Sequence, residues 1–91
     1  MTPTGDRSLR KLPPQVKSFV LNDFPSQVVL DPFIGESLQG PLSWVRSFHV
    51  SIGGIPYRVA YEVVSKEHCI RIHFAGYRGG FYDRLRRALG V

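Results

Sequence analysis

Apolar residues recur along the chain with two different periods, and the change of period divides it. In the first third, Val16, Phe19 and Val20 fall at helical spacing. A short helix is predicted over Thr4 to Lys11, with Thr4 or Asp6 as N-cap, and Pro13-Pro14 ends it and opens a second helix at its first turn. Pro25 interrupts that second helix, since an internal proline removes a hydrogen bond and crowds the preceding turn. A kink or break is expected near Phe24, followed by the apolar stretch Val28-Val29-Leu30 before Asp31-Pro32.

From Ser43 the period is two. Trp44, Phe48, Val50 and Ile52 alternate with Val45, Ser47, His49 and Ser51. After the turn Gly53-Gly54-Ile55-Pro56, Tyr57, Val59, Tyr61 and Val63 alternate with Arg58, Ala60, Glu62 and Val64. Ser65 to His68 turn the chain again, and Ile70, Ile72 and Phe74 alternate with Cys69, Arg71, His73 and Ala75. Strands with one apolar and one polar or small face make an antiparallel sheet covered by helices on one side and open on the other. Beyond Gly76 to Gly80, Phe81, Leu85, Ala88 and Leu89 mark one side of a C-terminal helix. Four-residue loops in both hairpins would pair Ile52 with Tyr57 and Val64 with Cys69. Phe48, Tyr61 and Ile72 then share a row of the apolar face, Glu62 lies opposite Arg71, and His49, Ala60 and His73 share a row of the open face.

Length, charge and cysteine content narrow what such a sheet can do. Ninety-one residues suffice for one domain, residues 1–91, with one core. The apolar share of 43% argues for a folded chain. Met1 to Leu12 carries no signal-peptide core and no run is long enough to span a bilayer, so a soluble cytoplasmic protein without membrane association is expected. Cys69 is the single cysteine, which excludes an internal disulfide and a thiolate metal cage. The net charge of +5 is uneven: from Arg71 onward there are five arginines against Asp83 alone. A basic patch on a small domain points to a polyanion or an acidic partner; a solvated, arginine-rich terminal helix would give the same count.

The open face gathers the chemistry. His49 and His73, two strands apart, would stand roughly 10 Å from each other at a strand spacing of about 4.8 Å, too far to share one metal, and no cofactor is implied. That spacing could hold a phosphodiester between proton-transfer groups, with Arg58 and Arg78 clamping the phosphate. Alternatively, Arg58 is a surface ion pair with Glu62 and the histidines are ordinary strand residues. Cys69, next to a turn, reads as a half-buried small residue rather than a nucleophile, His68 reads as a turn residue, and Trp44 reads as core although Trp44, Tyr57 and Phe81 could also stack on bases.

Two stretches carry a resemblance. Ile55-Pro56-Tyr57-Arg58-Val59-Ala60-Tyr61-Glu62-Val63, and then Ile70-Arg71-Ile72-His73-Phe74-Ala75-Gly76-Tyr77-Arg78-Gly79-Gly80-Phe81-Tyr82, resemble the RelE/ParE toxin superfamily. Leu12-Pro13 before a helix and Leu38-Gln39-Gly40 before the first long strand match its layout. The resemblance spans about Leu9 to Leu85. It implies an α+β fold: an N-terminal helical hairpin packed on a three- to four-stranded antiparallel sheet, with a short C-terminal helix. It also implies a type II toxin–antitoxin toxin that cuts mRNA on the ribosome without a metal, by attack of a 2′-hydroxyl on the adjacent phosphate, and that a cognate antitoxin neutralises. The catalytic set carried over is Arg58 and Arg78, which bind the scissile phosphate and help the leaving group, and Tyr82, which orients the substrate or assists the 2′-hydroxyl. His49 and Ser51 stand where family members often have a basic pair, so His49 replaces the usual base or charge donor, and His49 and Tyr82 serve in proton transfer or substrate orientation. Arg46, Ser51, Arg71, His73 and Tyr77 are the expected RNA contacts. A family strand that usually precedes the helices has only Met1 to Pro3 to form from. The same fold also serves ParE-like inhibitors of DNA gyrase, which do no chemistry, and a toxin retaining only antitoxin binding is a third reading.

Overall fold

The N-terminus shows how few residues can close a sheet edge. In the computed structural model, which describes residues 1–91, Thr2 caps the first helix α1 (Pro3–Arg10), its hydroxyl accepting from the Gly5 N–H at 3.0 Å. The cap is therefore two residues earlier than Thr4, because Pro3 at N1 already has the helical φ. No strand precedes α1. Instead the Thr2 N–H and hydroxyl both donate to the Ile72 carbonyl, and Ser8 Oγ accepts from the Ala75 N–H. Helix α1 thus lies along the outer edge of the last strand and supplies partners a neighbouring strand would have supplied.

Pro13 and Pro14 separate α1 from α2 (Pro14–Ser18). Pro25 does not break the second helical stretch. Residues Phe19–Asp23 widen into a π turn, and α3 (Phe24–Leu30) continues from it, with the Phe24 N–H reaching back to the Phe19 carbonyl. Opening one turn is how a helix accommodates a proline that cannot donate. Val16, Val20, Phe24 and Val28 form the buried stripe of this α2–α3 unit, while Val29 and Leu30 face outward.

The sheet is antiparallel and four-stranded in the order β1 (Glu36–Ser37), β2 (Arg46–Ile52), β3 (Ile55–Val64), β4 (Cys69–Tyr77). The β2–β3 turn is shorter than expected. Gly53 and Gly54 both adopt positive φ, 62° and 79°, and form a two-residue turn whose twist suits the strands. Ile52 therefore pairs with Ile55, not Tyr57, and the register moves by two: Phe48 opposes Val59, and His49 opposes Arg58 rather than Ala60. A shift of two keeps every side chain on its face. The second hairpin holds the expected Val64–Cys69 and Glu62–Arg71 pairs up to Tyr61–Ile72. Beyond that a bulge inserts His73, so that Ala60 opposes Phe74 and Val59 opposes Ala75. This exchanges the faces predicted for the strand's end: Ala75 enters the helix-side core, and Phe74 packs edge-on against Phe81 at 5.5 Å.

Two cores result. Leu9, Val16, Val20, Phe24, Phe48, Tyr61 and Ile72 belong to the larger one, between the helices and the sheet. Tyr61 Oη accepts from the Gly35 N–H and donates to the Pro32 carbonyl, both at 2.9 Å, fixing the loop that leads into β1. On the other face α4 (Phe81–Leu89) lays Phe81 and Leu85 over Leu42, Val45 and Ala60. The face expected to be open is therefore covered where α4 lies over Ala60; the end nearest the β2–β3 turn is free, and towards the β3–β4 turn Arg71 and Cys69 stay exposed. Trp44 is neither in the strand nor in the core: it precedes β2, is 45% exposed, and stands edge-on over His73 at 5.0 Å. Tyr57 and Phe81, by contrast, are buried and unavailable for stacking on bases.

Candidate functional site

The free end of this face holds a cleft of about 220 Å³ lined by His49, Ser51, Pro56, Arg58 and Arg78 among others. The two-residue turn creates it, since the register shift that it enforces places His49 directly across from Arg58. Arg78 arrives from the far side. Its N–H donates to the Pro56 carbonyl at 3.1 Å, extending the β3–β4 ladder one residue past β4 and seating its side chain at the cleft.

Neither arginine has a carboxylate within ion-pairing distance. The Glu62 that could have neutralised Arg58 is engaged elsewhere, with His73 at 3.0 Å and Arg71 at 4.0 Å. Arg58 Nε is buried without an acceptor, so packing rather than an acid holds the side chain. Two unneutralised guanidinium groups in one concave site form a ready anion site, because guanidinium forks match the oxygens of a phosphate. His49 Nε2 lies 3.7 Å from Glu36 Oε2. Both side chains are largely exposed and the separation exceeds hydrogen-bond length, so this is a loose electrostatic contact.

Of the residues singled out from sequence, Arg58, Arg78, His49 and Ser51 meet at the cleft. Tyr82 is on the first turn of α4, part exposed, with the Arg86 guanidinium 6.0 Å from its ring, and is not among the lining residues. Arg46 lies on the helix side, bonded to the Phe33 and Gly35 carbonyls and stacked 4.8 Å over the Phe33 ring. Arg71 reaches Glu67 at 3.3 Å on the sheet surface. The bulge removes His73 from the row of His49 and buries it between Glu62 and Trp44. Tyr77 stacks on Tyr57 at 5.0 Å, on the helix side. No group of three histidine, cysteine or acidic side chains is arranged to hold a metal ion.

Sequence reasoning missed Glu36 and Arg84. A two-residue strand has no readable period, which hid Glu36. Arg84 appeared as one more cation of the terminal helix, yet its guanidinium donates to the Tyr77 carbonyl at 2.5 Å and the Gly79 carbonyl at 2.8 Å.

The family model described as a ParE-like toxin of type II bacterial toxin–antitoxin system matches residues 1–86. The chain belongs to this family of toxins, within the RelE/ParE superfamily. It is also similar to a chain in the crystal structure of the RelBE2 toxin–antitoxin complex from Mycobacterium tuberculosis, with a TM-score of 0.69 and 26% identity over 85% of this chain and 91% of that one. No curated protein matches the sequence. No helix is long and apolar enough to cross a membrane. The fold expected from sequence, a helical hairpin on an antiparallel sheet with a C-terminal helix, is the fold the toxin has.

Proposed function

We propose that this toxin is a ribosome-dependent endoribonuclease that inhibits translation by cutting mRNA in the cytoplasm. The observation that supports the reading is the cleft in which Arg58 and Arg78, both without a carboxylate partner, face the same space with His49 across from Arg58. In the reaction the 2′-oxygen attacks the adjacent phosphorus, a P–O2′ bond forms, and the P–O5′ bond breaks. The products are a 2′,3′-cyclic phosphate and a free 5′-hydroxyl. His49 takes the proton from the 2′-hydroxyl. Arg58 and Arg78 hold the non-bridging oxygens as charge builds on the phosphorane. Arg78 also stabilises the departing 5′-oxygen, which gains its proton from water. Tyr82 and Ser51 orient the flanking nucleotides. A cognate antitoxin neutralises the toxin by covering this basic end; the structural relative was itself solved as a toxin–antitoxin complex.

The matched family's ParE-like description favours a second reading, a gyrase-binding toxin without chemistry. Induction in a bacterial host separates them. The nuclease predicts rapid arrest of protein synthesis, lost in Arg58→Ala and Arg78→Ala variants that still fold. Full toxicity in the double variant, or filamentation with a DNA-damage response and intact transcripts, refutes it.

A further inference from the structure

We propose that Arg84 is the positioning residue that sets Arg78 at the cleft. Three residues, Arg78, Gly79 and Gly80, join β4 to α4, and two of them are glycines, one at a φ of 66°. Such a linker is intrinsically loose, yet its only side chain is the one that must meet a phosphate. Arg84 removes that freedom. Nη2 donates to the Tyr77 and Gly79 carbonyls and Nε to the Gly80 carbonyl at 3.4 Å, so the carbonyls on either side of Arg78 hang from one guanidinium.

The clip is itself anchored. Phe81 and Leu85 bury the face of α4 from which Arg84 reaches back. The guanidinium crosses Gly76, where a Cβ would stand 3.2 Å from Nη1, so glycine leaves the room it occupies. No carboxylate lies within ion-pairing distance of Arg84 either. Its hydrogen-bond partners are main-chain carbonyls, and its role is to order the loop ahead of ligand binding, which raises affinity by lowering the ordering cost.

The inference rests on the cleft being a phosphate site, and the test separates the two. Inorganic phosphate is titrated into ¹⁵N-labelled full-length protein while the Nε–H signals of Arg58 and Arg78 are followed. Both should move in the wild type. Arg84→Ala should weaken binding roughly tenfold, Arg84→Lys should recover part of the loss, and Arg84→Ala should cost nothing further in an Arg78→Ala background. A merely structural contribution from α4 would instead lower Tm and add to the Arg78→Ala effect, and additivity overturns the proposal. Loop order is read independently from heteronuclear NOEs at Gly79 and Gly80 and from exchange of the Arg78 amide. Arg84→Ala must loosen all three, and an unchanged loop overturns the proposal whether or not phosphate binds. Wild-type signals that ignore phosphate refute the cleft reading instead.

Discussion

Gly5 sits inside α1, where exchange of glycine for alanine would ordinarily stabilise a helix by about 0.5–1 kcal/mol. Here the sign reverses. A Cβ on Gly5 would overlap the Ile72 carbonyl oxygen and stand 3.0 Å from the Met1 side chain. The carbonyl is backbone in β4 and cannot turn away, so α1 must move out. Movement is opposed at both ends, by the two bonds from Thr2 to the Ile72 carbonyl at 3.1 Å and by the Ala75 N–H to Ser8 Oγ bond at 3.0 Å. Overpacking of this kind costs about 1–3 kcal/mol, and each weakened bond about 1 kcal/mol. Against the propensity gain, Gly5→Ala should lose about 2 kcal/mol net. For a domain of this size that lowers Tm by roughly 8–16 °C. Urea unfolding followed by circular dichroism should show a lower midpoint at unchanged m, since the surface exposed on unfolding is the same. Gly79 is the control: a Cβ there meets nothing within 4 Å, and Gly79→Ala should be neutral or gain up to about 1 kcal/mol through the unfolded chain. A midpoint for Gly5→Ala at or above wild type would refute the role of α1 as the cover of the β4 edge.

Tyr61→Phe removes the hydroxyl that joins the Gly35 N–H and the Pro32 carbonyl, and leaving both unpaired should cost about 1–3 kcal/mol by urea unfolding. Burial raises the Tyr61 phenol above its ordinary value near 10, against the opposing pull of the Gly35 bond and the Arg46 charge. The unfolded chain therefore releases this proton first as pH rises: the stability tied to the neutral phenol is complete below the unfolded value and is lost as pH climbs through the folded one. Urea midpoints taken from about pH 9 to about pH 11.5 should fall more steeply for wild type than for Tyr61→Phe. His73→Gln should leave growth arrest intact, since His73 is buried against Glu62 and Trp44 and is absent from the cleft lining, whereas His49→Ala should lower cleavage about 10²-fold or more.

The fold was legible wherever a period ran through several residues. The alternation over Phe48 to Ile52 and Tyr57 to Val63 placed those side chains on the right faces, and Val16, Phe19 and Val20 marked the second helix, whereas the run of its buried stripe on through Phe24 to Val28, past the expected break, was not read. What stayed hidden depends on single backbone conformations. Two glycines at positive φ chose a two-residue turn over a four-residue loop, and that choice set His49 against Arg58. One extra residue at His73 exchanged the faces of Phe74 and Ala75, and a regular alternation through Arg71 and His73 gives no sign of such a bulge. Arg58 and Arg78 could be brought together from sequence because strand order survives such local shifts. The isolated contacts of Glu36 with His49 and Arg84 with the Tyr77–Gly80 loop could not, because they depend on a two-residue strand and on where a glycine linker aims a helix.

A nuclease built on this cleft requires Arg58 and Arg78 to act together on one phosphodiester of ribosome-bound mRNA. Mapping transcript 5′ ends in a purified translation system supplied with wild-type toxin or the Arg78→Ala variant reads that cooperation at the cut itself. New ends bearing 5′-hydroxyls are expected, confined to ribosome-bound mRNA and lost in the variant. Intact mRNA with wild-type toxin, or the same ends produced by Arg78→Ala, would contradict it.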